Sequence, residues 1–196
     1  MAVQIDQERA AGVRRHLFSI DEYERMIAAG VFEEDARIEL IRGEIVDMSP
    51  INPPHEACVR RLTMFFAKHF GETVIVSVQC SIRLPGGSLP EPDVAILKWQ
   101  DDFYSARRVM PEDVLLLIEV AESSLDYDRG EKLKMYAEVG IPHYWVVNIT
   151  ERVVEVYAQP EGGTYTQGHR ARSGETLALP DDLSGEVKVD DILGTA

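Results

Sequence analysis

Cysteine is almost absent: Cys58 and Cys80 are the only two in 196 residues, with no C-x-x-C spacing and no histidine-rich company. That pattern favours neither a disulfide framework nor a thiolate zinc site, and both read as packing residues. Basic residues are scarce too, with 20 Lys and Arg against 34 Asp and Glu for a formal net charge of −14. Such a surface speaks against diffuse coating of nucleic acid, which Lys and Arg drive, but it leaves room for a local basic groove. Long apolar runs are also missing. The longest fall far short of the ~20 residues needed to cross a bilayer, and "MAVQIDQERAAGVRRHLF" lacks the apolar core of a signal peptide. A cytoplasmic protein without a membrane segment is the expectation.

What is present suits a folded chain: 45% hydrophobic and 28% charged residues over a length that supports one domain with a real core. Residues 1–17 are expected to be a flexible N-terminal segment, and 1–196 a single domain. "SIDEYERMIAAG" places Ser19 three residues before Glu22, a capping-box spacing, and Gly30 where a C-terminal cap would sit. "RIELIRGEIVDMSP" predicts two short strands about a turn at Arg42-Gly43. "NPPHEACVRRLTMFFAKHF" opens with Asn52 and prolines, then sets Val59, Leu62, Phe66 and Phe70 at helical steps, which predicts a core-facing helix.

"TVIVSVQCSIRL" and "PDVAILKW" predict two strands about a "GGSLP" turn, and "VLLLIEVAES" a third. "DYDRGEKLKMYAEVGIP" predicts a single helix with acids at its start and Gly140 at its end. "HYWVVNI" and "RVVEVYA" predict a hairpin, and 158–196 short strands or loops. This order gives an α/β (α+β) fold with a central mixed sheet flanked by helices.

One residue does not fit its surroundings. Glu119 interrupts the apolar run from Val114 to Val120, and an ionised carboxylate in a strand buried on both faces costs several kcal/mol, roughly, unless it is protonated, paired or bound to a cation. Asp93 stands at the entrance of "DVAIL" and Glu119 near the exit of "LLLIEV". If those strands are antiparallel neighbours, the two carboxylates approach each other at one end of the sheet. An acidic pair without a thiolate or histidine cluster points to Mg²⁺ or Mn²⁺, and Lys132 on the following helix is the candidate cation to position a nucleophile.

"PEPDVAIL", "LLIEVAESS" and "DYDRGEKLKMYAEVGIPHYWVVN" together resemble the Uma-type family of bacterial "putative restriction endonucleases" in the PD-(D/E)xK nuclease superfamily. "RIELIRGEIVDMSP" followed by His55 is similar to that family's N-terminal signature. The resemblance runs from about Phe18 to Tyr157. It implies a restriction-endonuclease-like core, with Asp93 and Glu119 as the two motif acids. Ala121 stands where the superfamily pattern has lysine, and the Uma-type signature moves that role to Lys132. Tyr136, one turn on, shares its face.

Each of these residues has a plainer reading. Lys132 alone reads as an exposed helix lysine paired with Asp128. Glu44 is either a further metal-site oxygen or the solvated face of an edge strand. His55 is a phosphate contact or proton carrier, or else a helix-cap residue. Arg60, Arg61, Arg107 and Arg108 are nucleic-acid contacts or ordinary surface. The resulting expectation is a Mg²⁺- or Mn²⁺-dependent DNA endonuclease with Asp93, Glu119 and Lys132 catalytic, Glu44 a further ligand, and a homodimer plausible. The alternatives are a silent nuclease-like binding module and a hydrolase of small phosphate esters.

Overall fold

The computed structural model describes residues 14–195, so the flexible segment expected at 1–17 falls mostly outside the described residues. The chain divides into two compact units, Met1–Met48 with Arg83–Pro90 and Ser49–Ile82 with Glu91–Ala196.

The smaller unit holds α1 (Ile20–Ala28) and the antiparallel pair β1 (Ile38–Ile41) and β2 (Glu44–Asp47). The capping box forms: Ser19 Oγ accepts the Glu22 N–H at 3.2 Å, and Glu22 Oε2 accepts the Ser19 N–H at 2.9 Å. Arg42 and Gly43 both take positive φ, 50° and 81°, as a two-residue turn that follows the right-handed twist of its strands requires. Gly43 has a second constraint, since a Cβ there would lie 2.7 Å from the Cβ of Leu17. Ile20, Tyr23, Leu40 and Leu89 form this unit's core.

The larger unit is built on a six-stranded sheet in the order β3-β4-β5-β6-β7-β8. Its strands are β3 (Val74–Val78), β4 (Val94–Lys98), β5 (Val114–Ala121), β6 (His143–Asn148), β7 (Val153–Glu161) and β8 (Thr164–Arg172). All neighbours are antiparallel except β5 and β6, which run parallel and therefore need a helical crossover. Every residue of β5 is buried, as its unbroken apolar run requires.

Alternation sends Ile118 and Val120 to one face of the sheet and Leu117 and Glu119 to the other. The first face packs on α2 (Pro53–Phe70) through Val59, Leu62 and Phe66, and on the C-terminal segment through Leu177, Leu183, Val187 and Ile192. Asn52 starts α2 by accepting the His55 N–H on its side chain at 3.1 Å, and the prolines occupy the first turn, where no N–H is needed.

The second face carries the crossover, and here the structure corrects the expected single helix. Leu125–Tyr127 (α3) leads into a π-helical turn, Asp128–Lys132, before α4 (Leu133–Glu138) resumes. Gly130, the weakest helix former of the run, lies inside the widened turn. Two further differences concern strands. The expected strand from Thr73 ends at Val78, because Gln79 takes φ 49°. The stretch from 158 on is more ordered than short strands or loops: β7 and β8 form a hairpin with nine-residue strands. The short pair β9 (Thr176–Ala178) and β10 (Glu186–Lys188) and a last helix, α5 (Val189–Leu193), follow.

Candidate active site

The register of β4 on β5 pairs Val94 with Ile118, which sets Asp93 opposite Glu119 at the end of the strand pair. Directly opposed residues of an antiparallel pair share a face. Each carboxylate reaches across to the other strand's backbone. Glu119 Oε2 accepts the Asp93 N–H at 3.3 Å, and Asp93 Oδ2 accepts the Val120 N–H at 2.9 Å. Both residues are buried.

The crossover helix delivers the cation. Lys132 is not the exposed helix lysine of its plainer reading: it is buried, and its Nζ donates to Glu119 Oε1 at 3.1 Å. Tyr136 donates its hydroxyl to the same oxygen at 2.9 Å. Lys134, by contrast, has 63% of its side chain exposed and pairs with Glu138. His55 arrives from the start of α2, its Nε2 3.0 Å from Asp93 Oδ2. Gln79, unremarked in the sequence, donates to Asp93 Oδ1 at 3.3 Å; the positive φ that ends β3 turns it there.

Asp93, Glu119, Lys132, Tyr136 and His55 are thus brought together. Glu44 belongs to the smaller unit, where it is exposed and ion-pairs Arg15 at 3.7 Å. Among the described residues no three His, Cys, Asp or Glu side chains are grouped to hold an ion, so an ion here would rest on two carboxylates and water. That donor set suits Mg²⁺, which keeps several waters and uses one or two carboxylates. Two further facts fit such an occupant. By residue type the cluster holds two acids, Asp93 and Glu119, against one lysine, Lys132. In addition, His55 Nδ1 is buried without a hydrogen-bond partner, a state that calls for water or ligand.

The same row of the sheet continues beyond the acids. The registers align Glu119 with Val146, Val146 with Glu155, and Glu155 with Arg170. Glu155 is buried and receives Arg129 of the π-helical turn, through Nε at 2.8 Å and through a second bond from Nη2, together with Arg170 at 3.0 Å and the Tyr157 hydroxyl at 2.7 Å. Burial alone would raise the Glu155 carboxyl, but Arg129 and Tyr157 hold it below the usual glutamate value. Sequence reasoning passed over this pair. The signal was present, since "VVEVY" sets a glutamate in an apolar run just as "LLIEV" does. Tyr144, between the two acids, has its phenol pushed well up by burial, reinforced by Asp128 and Glu119.

Three of the surface arginines are engaged within the chain. Arg60 pairs with Glu56, Arg61 donates to the Leu193 carbonyl, and Arg107 grips Asp113 at 2.6 and 2.8 Å. Cys58, one turn beyond His55 on α2, is a packing residue as expected, whereas Cys80, expected to pack as well, is exposed; burial pushes the Cys58 thiol up to about 12, Arg61 opposing and Asp93 adding. At pH 8, iodoacetamide should therefore label the exposed Cys80 and leave Cys58 untouched until denaturant is added. Equal labelling rates in the native protein, followed by peptide mass spectrometry, would contradict this burial.

The Uma2 family, described as "Putative restriction endonuclease", matches residues 20–190. The chain belongs to the Uma2 family. The match spans both the acids and the crossover helix and contains every residue of the cluster above. Among solved structures, a "putative nuclease belonging to DUF820" from Anabaena variabilis aligns at TM-score 0.70 with 14% identity, covering 90% of this chain and 97% of that one. At this identity the likeness shows the shared fold alone. A search of curated proteins found no match. Among the described residues of this Uma2 member, no helix is long and apolar enough to cross a membrane.

Proposed function

We propose that the chain is a divalent-metal-dependent endonuclease that hydrolyses phosphodiester bonds of DNA. The observation that carries the reading is the convergence of Asp93 and Glu119 from neighbouring antiparallel strands with a buried lysine on Glu119, in a member of a restriction-endonuclease family. Asp93 and Glu119 would hold Mg²⁺ or Mn²⁺, which supplies Lewis acidity and a lowered water pKa at the phosphorus.

The chain's own residues do the rest. Lys132 sets a fixed positive charge beside the reacting phosphate, where negative charge grows in the transition state. Tyr136 and Lys132, sharing Oε1 of Glu119, fix that carboxylate's orientation. His55 and Gln79 do the same for Asp93.

A rival reading, a nuclease-like module that binds without cutting, draws on one observation. Donors from the chain already reach both oxygens of each acid. Purified protein incubated with supercoiled DNA, RNA and a nucleotide ester separates the readings. Metal-dependent nicking of DNA, lost in EDTA and in Glu119→Gln, is the expected result. DNA binding without cleavage supports the module, and turnover of the ester alone supports a small-phosphate hydrolase.

Metal binding has its own readout. A ligand that binds only the folded state stabilises it by about 1.4 kcal/mol at ten times its dissociation constant. For a chain of this length that is a rise in Tm of about 3–6 °C. Mg²⁺ or Mn²⁺ should produce that shift in the wild type and not in Glu119→Gln; equal shifts in the two proteins would remove Glu119 from the ligand set.

A further inference from the structure

The two edges of the six-stranded sheet are built differently. β8 presents Gln167, His169, Arg170 and Arg172, the polar and charged residues that discourage pairing with another chain. β3 reads Val-Ile-Val-Ser-Val, with no charge, proline or glycine to guard it.

The direction of its backbone groups follows from one hydrogen bond. Gln79 donates its N–H to the Asp93 carbonyl at 3.3 Å, continuing the ladder beyond Val78. In an antiparallel ladder, alternate residues turn both N–H and C=O toward the partner. Ile75 and Ser77 therefore face β4, while Val74, Val76 and Val78 turn their N–H and C=O outward. The Cys80 thiol, 3.3 Å from the Val78 carbonyl, meets that outward side. Among the described residues no other partner reaches these outward groups. The side chains of the same three valines belong to the main core, Val74 buried but Val76 and Val78 only partly so. The core thus runs out to an edge with open hydrogen-bonding positions.

We propose that the outer edge of β3 is the docking surface for a second copy of this chain, the two β3 strands pairing antiparallel about a twofold axis at Val76. The strand is self-complementary under that operation. Val76 meets the partner's Val76, Val74 meets the partner's Val78, and every outward donor finds an outward acceptor. An uncharged edge also lets two chains of net charge −14 approach without like charges on the paired strands. The axis stands perpendicular to the sheet, so both Asp93–Glu119 clusters lie on the same face of one continuous sheet, about 28 Å apart by ordinary strand spacing and rise. Should they be the nuclease centres proposed above, both would face a bound duplex from the same side of the dimer. The dimer itself does not depend on that reading.

Sedimentation velocity of the full chain from 1 to 100 μM, on the order of a typical association range, tests it directly. A species of twice the 22.0 kDa chain mass is expected. Val76→Pro removes one outward N–H and no bond to β4, and Ser77→Lys places a charge on the edge; each should give a monomer with an unchanged circular dichroism spectrum. Hydrogen exchange at Val74, Val76 and Val78 should be slow in the dimer and fast in the monomeric variants. A wild-type monomer at 100 μM overturns the proposal, including one whose β3 amides are protected from within the chain. So does a dimer that survives both substitutions. If Val76→Pro does not fold, the Ser77→Lys result decides.

Discussion

Lys132→Met should lower turnover on DNA by about a hundredfold or more, the scale for losing one preorganised electrostatic group. The ammonium that methionine removes sits 3.1 Å from Glu119 Oε1, with only 6% of the lysine side chain exposed. Its loss also leaves a buried carboxylate without its cation, which costs about 3–5 kcal/mol when a buried pair is broken from one side. The two effects separate in the double variant Lys132→Met/Glu119→Gln. Neutralising both partners should restore most of the lost stability while leaving turnover as low as in the single variant. Lys134→Ala is the internal control: its side chain is largely exposed, its ion pair with Glu138 spans 3.9 Å, and turnover should stay within about twofold of wild type. Full activity in Lys132→Met, or equal damage from Lys134→Ala, removes Lys132 from the mechanism.

Glu155→Ala is expected to destabilise the fold strongly, although the residue lies outside the acid pair. It strips Arg129 of its buried partner and leaves the Tyr157 hydroxyl without its acceptor. Arg129 retains 25% exposure and recovers some hydration, which sets the loss near the lower end of the range, about 3 kcal/mol, or roughly 6–12 °C in Tm. The carboxyl's folded value lies below the ordinary 4.5. Its stabilisation is therefore fully present above that pH and drains away as the pH falls through the lower, folded value. Glu155→Gln should accordingly flatten part of the acid limb of the stability curve. An unchanged acid limb, measured by thermal unfolding as the pH is lowered from neutrality through 4.5 and below, would show that the pair contributes nothing.

The parts of this architecture that were legible before any coordinates share a cause. The capping box at Ser19, the cap at Asn52 and the buried run at Val114 are local, and local chemistry decides them. Asp93, Glu119 and Lys132 stood out because an acid in an apolar run is a contradiction that requires a partner, and the family-like spacing named one. The misses are non-local. Nothing in "DRGEK" announces a π-helical turn, because the widening answers to partners on β5 and β7 rather than to helix propensity. β8 escaped because an edge strand with mostly exposed side chains has little apolar alternation to read. Glu155 escaped because its partners are remote in sequence: Arg129 comes from the crossover and Arg170 from the neighbouring strand, and only the fold brings them to it.

The alignment of Asp93, Glu119, Val146, Glu155 and Arg170 across neighbouring strands has a consequence for how such a chain can change over generations. Side-chain identity at most positions of these strands is free to drift as long as the volume is kept. Inserting or deleting one residue within β5 is another matter, because a single-step slip exchanges the two faces of the strand and carries Glu119 away from Asp93 and Lys132 together. Heritable variation is therefore channelled into substitutions within the strands and length changes between them. Under that rule a shape can be held by very different sequences, as the 14% identity at TM-score 0.70 with the Anabaena variabilis protein illustrates.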